Sequence, residues 1–187
     1  MFGSFEPRFW ETLAKHLPAP VPCLWTGPAI VPARVSLDHA RKAAQQLRHP
    51  LILWDNYPVN DSARASRHLY LAPADRPAWL CRYTAGLIAN PMNQANLSRP
   101  ALAGLAAALA GRPLDAAAAI AQCFPPPLAD LLVRDRSLFE QGGLDGVDAD
   151  LQVSLLAEYR VVDHPAAREV CDWLQGAWAF DPACLTE

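Results

Sequence analysis

The residues best suited to chemistry lie in the stretch LILWDNYPVND, residues 51–61, where an apolar run gives way to Trp54, Asp55, Asn56, Tyr57, Asn60 and Asp61. An indole, two amides and two carboxylates, with no Ser/His or Cys/His pairing beside them, suit recognition of a neutral polyhydroxylated ligand. Carboxylates accept from paired hydroxyls, and an indole covers an apolar face or an acyl group. A second polar cluster, residues 90–96, follows the apolar run AGLIAN. Trp54, Asn56, Asp61 and Asn90 form the candidate binding set. The residue types support a second reading as well, in which Asp55 and Asn56 make local turn contacts, Asn90 ends a strand before Pro91, and Trp54 is core.

Residues far apart in sequence converge only if the elements carrying them end together. Three successive units share one grammar. Phe9, Leu13 and Leu17 recur at four-residue spacing after Pro7, which predicts an amphipathic helix ended by Pro18. The apolar run VPCLWTGPAIV follows, closed by Gly27-Pro28. Ser36 is placed to cap a second helix with Ala40, Ala43, Ala44 and Leu47 on one face, stopped by Pro50, and LILW follows. The third run ends at Asn90 and leads to Ser98, a cap for a helix whose stripe is Leu102, Leu105, Ala106 and Leu109. Apolar runs too short for helices, alternating with amphipathic helices, predict parallel strands with helical crossovers. In such folds ligands meet the C-terminal ends of the strands, which is where Thr26, Gly27 and the clusters 54–61 and 90–96 fall.

Beyond Gly111 the grammar changes. Asp115 caps an Ala-rich helix, FPPPL breaks the chain, and GGLDGVDAD forms a turn before a helix with Leu151, Leu155 and Leu156. Pro165 opens a last helix with Val170, Trp173, Leu174 and Ala177 as its buried face. Residues 1–110 are therefore read as the strand-bearing part and residues 111–187 as an all-helical segment.

Composition narrows the function classes. The 187 residues are 52% hydrophobic and 19% charged, with a net charge of −3, and no run of Lys/Arg exceeds two neighbours. A folded protein is expected, and nucleic acid is not an expected partner. The five cysteines are scattered without CxxC spacing, so neither a disulfide framework nor a zinc site is suggested, and buried or inert thiols are the default. The start MFGSFEPRFWETL has Glu6 and Pro7 where a signal peptide needs an unbroken apolar stretch, and residues 101–124 are interrupted by Arg112, Pro113 and Asp115. A cytoplasmic protein without a membrane span, metal or cofactor is expected. The carboxylates Asp145, Asp148, Asp150 and Glu158 lack the glycine an EF-hand needs at its sixth loop position.

Taken together, LWTGPAIV, LILWDNYPVND and GLIANPMNQANLSRPAL resemble, in order and spacing, the last three strand-to-loop segments of the catalytic barrel of glycoside hydrolase family 84. These are the β-N-acetylglucosaminidases that include O-GlcNAcases and enzymes once called hyaluronidases. The resemblance covers about residues 5–110. It implies an α/β fold, the C-terminal portion of a (β/α) TIM-type barrel reduced to its last three βα units, followed by the helical segment.

The resemblance also implies roles. Asp61 would accept hydrogen bonds from the outer hydroxyls of N-acetylglucosamine, with Asn90 beside it. Trp54 would line the N-acetyl pocket, and Asn56 would lie beside the reacting acetamido group. Tyr57 stands where the family varies, and Ala72 replaces a Gly that relatives usually carry before the Pro. The implied mechanism is substrate-assisted, with the acetamido oxygen attacking the anomeric carbon while an adjacent Asp pair orients the amide and transfers the proton. The 187 residues contain no Asp-Asp pair. The expectation is therefore a split or truncated enzyme that holds the N-acetylglucosamine-recognition half and no catalytic residue. A non-catalytic module binding a glycan or a protein is the alternative. Three parallel strands also leave edges and a face to cover, by residues 111–187 folding back, by a homodimer or by a complementing chain.

Overall fold

The structure, a computed structural model, describes residues 7–181. The first helix, α1 (Pro7–His16), leads to strand β1 (Cys23–Trp25), then α2 (Leu37–Leu47), β2 (Leu51–Asp55), the short α3 (Leu80–Tyr83), β3 (Gly86–Ala89) and α4 (Arg99–Leu109). The strands form one parallel sheet in the order β1-β2-β3, pairing Leu24 with Ile52, and Trp54 with Ile88. Four α-helices follow among the described residues, α5 (Ala116–Cys123), α6 (Leu128–Ser137), α7 (Ala149–Arg160) and α8 (Pro165–Leu174), with a π-helical turn (Leu138–Gly142) and a 3-10 turn (Gly143–Gly146) between α6 and α7. No helix among the described residues is long and apolar enough to cross a membrane.

Local signals account for the element ends. Ser36 accepts from the His39 amide, while the His39 ring accepts from the Ser36 amide. That reciprocal box starts α2. Arg48, at φ 55°, turns the chain out of α2 and donates its amide to Ala44. Asp115 and Asp148 cap α5 and α7 by accepting from Ala118 and Leu151 amides at 2.7 and 2.8 Å. Gly27 lies at φ 100°, a conformation that closes β1 and that side chains rarely adopt. The acidic residues of the rejected EF-hand have other partners: Asp145 pairs with Arg67, and Glu158 with Arg134.

The sheet is two-faced. Cys23, Trp25, Leu51 and Leu53 point toward α1, α2 and α3 and share a core with Ala40, Leu47 and Leu80. The opposite face carries Leu24, 55% exposed, and Ile88, 42% exposed, beside the half-buried Ile52 and Trp54. In a (β/α) barrel the helices lie outside and the inward face is filled by side chains from the other strands. The exposed face here is the inward one.

Several faces differ from those the spacing predicts. Phe9 is 41% exposed, and Trp10 instead joins Leu13 and Leu17 against the core, because α1 must reach both α2 and the sheet. The buried side of α4 is Ala101, Gly104, Leu105 and Ala108, so of the predicted stripe Leu102, Leu105, Ala106 and Leu109 it takes in Leu105 alone. Those stripe residues line an open groove of about 550 Å³ with Leu80 and Leu87, beside the outer edge of β3. In α7 Leu155 is buried and Leu151 is exposed, while Ala177 lies beyond α8 and is exposed. Ser98 begins α4 without capping it through its side chain, whose hydroxyl is turned to the Gln94 carbonyl at 2.9 Å. Cys23 and Cys171 are buried and Cys123 is half-buried, but Cys81 is exposed; Cys184 lies outside the described residues.

The helical segment does not fold back over the open sheet face. Its core joins Ile120, Leu128, Leu132, Phe139, Tyr159 and Trp173 to Leu69, Leu71, Met92 and Leu97, which belong to the loops after β2 and β3, and no strand residue takes part. The apolar side chains of those loops are the nearest surface the helices could bury. Gly104 marks a second contact with the β2 loop: a Cβ there would overlap the Pro73 ring and lie 3.2 Å from its Cα. Gly104→Ala should therefore lower stability by about 1–2 kcal/mol, although alanine in an unhindered helix gains about 1 kcal/mol over glycine. Urea unfolding checks this, and an alanine variant as stable as the parent would contradict the close approach.

Candidate functional site

Strand register brings three of the four candidate side chains together. Asp55 pairs with Ala89, so the next residues, Asn56 and Asn90, leave the sheet side by side. The Asn56 Oδ1 accepts from the Trp54 indole N–H at 2.7 Å and from the Asn90 side-chain amide at 3.1 Å. Its own Nδ2 donates to the Ile30 carbonyl at 2.9 Å, which ties the loop after β1 to the same point. Asn56 thus joins all three strand ends. Trp54 is half-buried on the open face, so it is neither core nor free surface.

Asp61 stands apart on the loop after β2. It is exposed, and its carboxylate makes no hydrogen bond or ion pair among the described residues. Its neighbour Asn60 is 1% exposed and holds the loop in place. The Asn60 amide donates to the His68 carbonyl at 3.1 Å and to Gln94 Oε1 at 2.8 Å, and its Oδ1 accepts from the Asn93 amide at 3.0 Å. The loop that presents Asp61 is therefore bonded to the loop that begins at Asn90. The arrangement offers a carboxylate with unused acceptor sites, amides at the strand ends and an indole on the open face, which suits hydroxyl and acyl recognition.

A model of the β-N-acetylglucosaminidase family matches residues 2–120. The chain belongs to that family, glycoside hydrolase family 84. Two solved structures share the fold of this family 84 chain. A variant of the Thermobaculum terrenum O-GlcNAc hydrolase superposes with a TM-score of 0.66 at 22% identity, covering 94% of this chain and 46% of that one. CpGH84B superposes with a TM-score of 0.58 at 22% identity, covering 89% and 36%. The chain thus spans less than half the length of either. Its three parallel strands alternating with helices, followed by C-terminal helices, are a partial fold of the larger TIM-barrel domain of the family.

Beneath the rim of this family 84 fold lies a buried ion pair. Asp55 and Arg76 have side chains 1% and 2% exposed. Arg76 Nε and Nη2 donate to the two carboxylate oxygens at 2.7 and 2.9 Å, and the remaining donors reach the carbonyls of Pro32, Ala33 and Asp75. All five guanidinium hydrogens are used. The turn-contact reading of Asp55 is thereby corrected: its alternation with Leu51 and Leu53 points it into the covered face, where a carboxylate needs a cation. That alternation was the available signal, but nothing in the pattern singles out Arg76. Asn60 belongs to the polar set of residues 51–61, but nothing in the pattern marks it as the buried member that ties two loops together.

Tyr57 is structural. Its hydroxyl donates to the Ala72 carbonyl at 2.7 Å, and burial, followed by the Glu140 carboxylate, pushes its phenol well above the usual range. Among the described residues no group of three His, Cys, Asp or Glu side chains is placed to hold a metal ion.

Proposed function

We propose that this chain is the C-terminal portion of a family 84 catalytic domain, carrying the N-acetylglucosamine-recognition half of the site. The observation that carries the reading is the network centred on Asn56, which gathers Trp54 and Asn90 at the strand ends beside a loop presenting an unpaired Asp61. In this reading Asp61 and Asn90 take the outer hydroxyls of a glycan-borne N-acetylglucosamine, Trp54 lines the N-acetyl pocket, and Asn56 lies beside the acetamido group. Residues 1–110 are the partial barrel and residues 111–187 the helical segment. Hydrolysis then requires an adjacent Asp pair from outside these 187 residues. The exposed inward face at Leu24 and Ile88, with the apolar groove along β3, supports a complementing chain or a second copy as its cover.

Titration with N-acetylglucosamine, followed by chemical shifts, tests the recognition reading. Binding is expected in the millimolar range, with Trp54, Asn56, Asp61 and Asn90 perturbed, because half of the pocket's walls are missing. Asp61→Ala and Asn90→Ala should each weaken it about tenfold, the loss of one or two hydrogen bonds, a carboxylate being the stronger acceptor. Saturating sugar that leaves all four residues unperturbed would sink the assignment.

A further inference from the structure

We infer that the C-terminal helices set the geometry of the recognition rim through two carboxylates, Glu140 and Glu169, as positioning residues for the loops after β2 and β3; this rests on the recognition reading above. Glu140, in the turn after α6, accepts the amides of Leu71 and Ala72 on one oxygen at 3.0 and 2.6 Å, while its second oxygen takes Arg136 at 2.6 Å. Glu169 of α8 accepts the Asn96 amide and side-chain nitrogen at 3.0 and 2.7 Å, and its other oxygen takes the Leu97 amide at 2.9 Å. Each carboxylate thus gathers consecutive backbone donors that no strand or helix satisfies. A charged acceptor is well matched to two converging N–H groups, and its loss strands them at the edge of a packed core.

The held peptides lead directly to the rim. The Ala72 carbonyl accepts from Tyr57, the residue after Asn56, so Glu140 and Tyr57 hold the two successive peptide groups that flank the Ala72 Cα. The segment that Glu169 holds continues back to Gln94 and Asn93, both bonded to Asn60, and Asn60 precedes Asp61. The same helical segment adds the Trp173 indole on the Ser66 carbonyl at 3.2 Å, and the Phe139 carbonyl on the Leu69 amide. Leu69, Leu71, Met92 and Leu97 are the apolar anchors of these loops in the helical core. The apolar contacts hold the loops down, and the carboxylates fix which peptides face which way.

The test compares Glu140→Ala, Glu169→Ala and the milder Glu169→Gln with Leu155→Val, which loosens the same core and leaves both carboxylates in place. Two readouts are taken on folded protein: amide exchange at Leu71, Ala72, Asn96 and Leu97, and N-acetylglucosamine affinity by chemical-shift titration. Each alanine variant should speed exchange at its own pair of amides and weaken the sugar about tenfold. Glu169→Gln, which keeps one acceptor oxygen, should fall between, and Leu155→Val should leave affinity within about twofold of the parent. Unchanged exchange at the four amides, or an equal loss of affinity in Leu155→Val, overturns the positioning role. A parent protein that ignores the sugar while exchange responds as expected overturns the recognition reading instead.

Discussion

Arg76→Ala is expected to destabilise the protein by about 3–5 kcal/mol, the usual cost of leaving one member of a buried ion pair without its partner. Both side chains are almost wholly inaccessible, so water cannot replace the lost donors at Asp55. The substitution also strips the carbonyls of Pro32 and Ala33 of their donor. Such a loss is a large share of the ~5–15 kcal/mol that ordinarily holds a domain together. Arg76→Lys should recover less than half of it, because an ammonium is a point charge and cannot fork between two oxygens and two carbonyls. Replacing the pair together, with Asp55→Leu and Arg76→Met, should come closer to the parent than Arg76→Ala does, since no unpaired charge remains. Urea midpoints measure all three, and a loss below about 1 kcal/mol for Arg76→Ala would mean that the pair contributes no more than a surface one. A functional consequence follows from position. Arg76 fixes the loop after β1, whose Ile30 carbonyl holds Asn56, so surviving folded Arg76→Ala protein should also bind N-acetylglucosamine more weakly.

Turnover of an activated aryl N-acetyl-β-glucosaminide by these 187 residues alone is expected at background. In the proposed substrate-assisted reading the rim would bind the sugar, whereas acceleration comes from orienting the acetamide and protonating the leaving oxygen. Acid–base catalysis alone supplies about 10²–10⁴-fold, and these residues hold no Asp-Asp pair to provide it. Adding a polypeptide that supplies the remaining strands and the Asp pair should raise the rate by at least that factor. Asp61→Ala in this chain should then lower kcat/KM of the assembly about tenfold or more, because the hydrogen bonds proposed for it would persist into the transition state. Turnover by the isolated chain that survives purification and disappears in Asp61→Ala would overturn the division of labour between the two halves.

What was legible in the sequence was what depends on near neighbours along the chain. Four-residue apolar spacing and Ser36 specify α2, three short apolar runs specify the parallel strands, and polar residues just past those runs fall at the strand ends. The grouping of Trp54, Asn56 and Asn90 follows from strand alternation plus one register, and both are backbone properties. Tertiary structure decided the long-range choices. Asp55 needed a cation on grounds of burial alone, yet Arg76 is 21 residues away; Glu140 and Glu169 meet their loop amides across 68 to 73 residues. The buried side of α4 likewise places Gly104 against Pro73 of the β2 loop, while Leu102 and the exposed Ala106 line an open groove, a choice of partners that periodicity alone does not contain. Periodicity reports which residues share a face, because it is a property of one element. Which partner that face meets depends on how elements dock, and there a side chain's choice among several chemically equal partners is made by distance in space rather than by position in the chain.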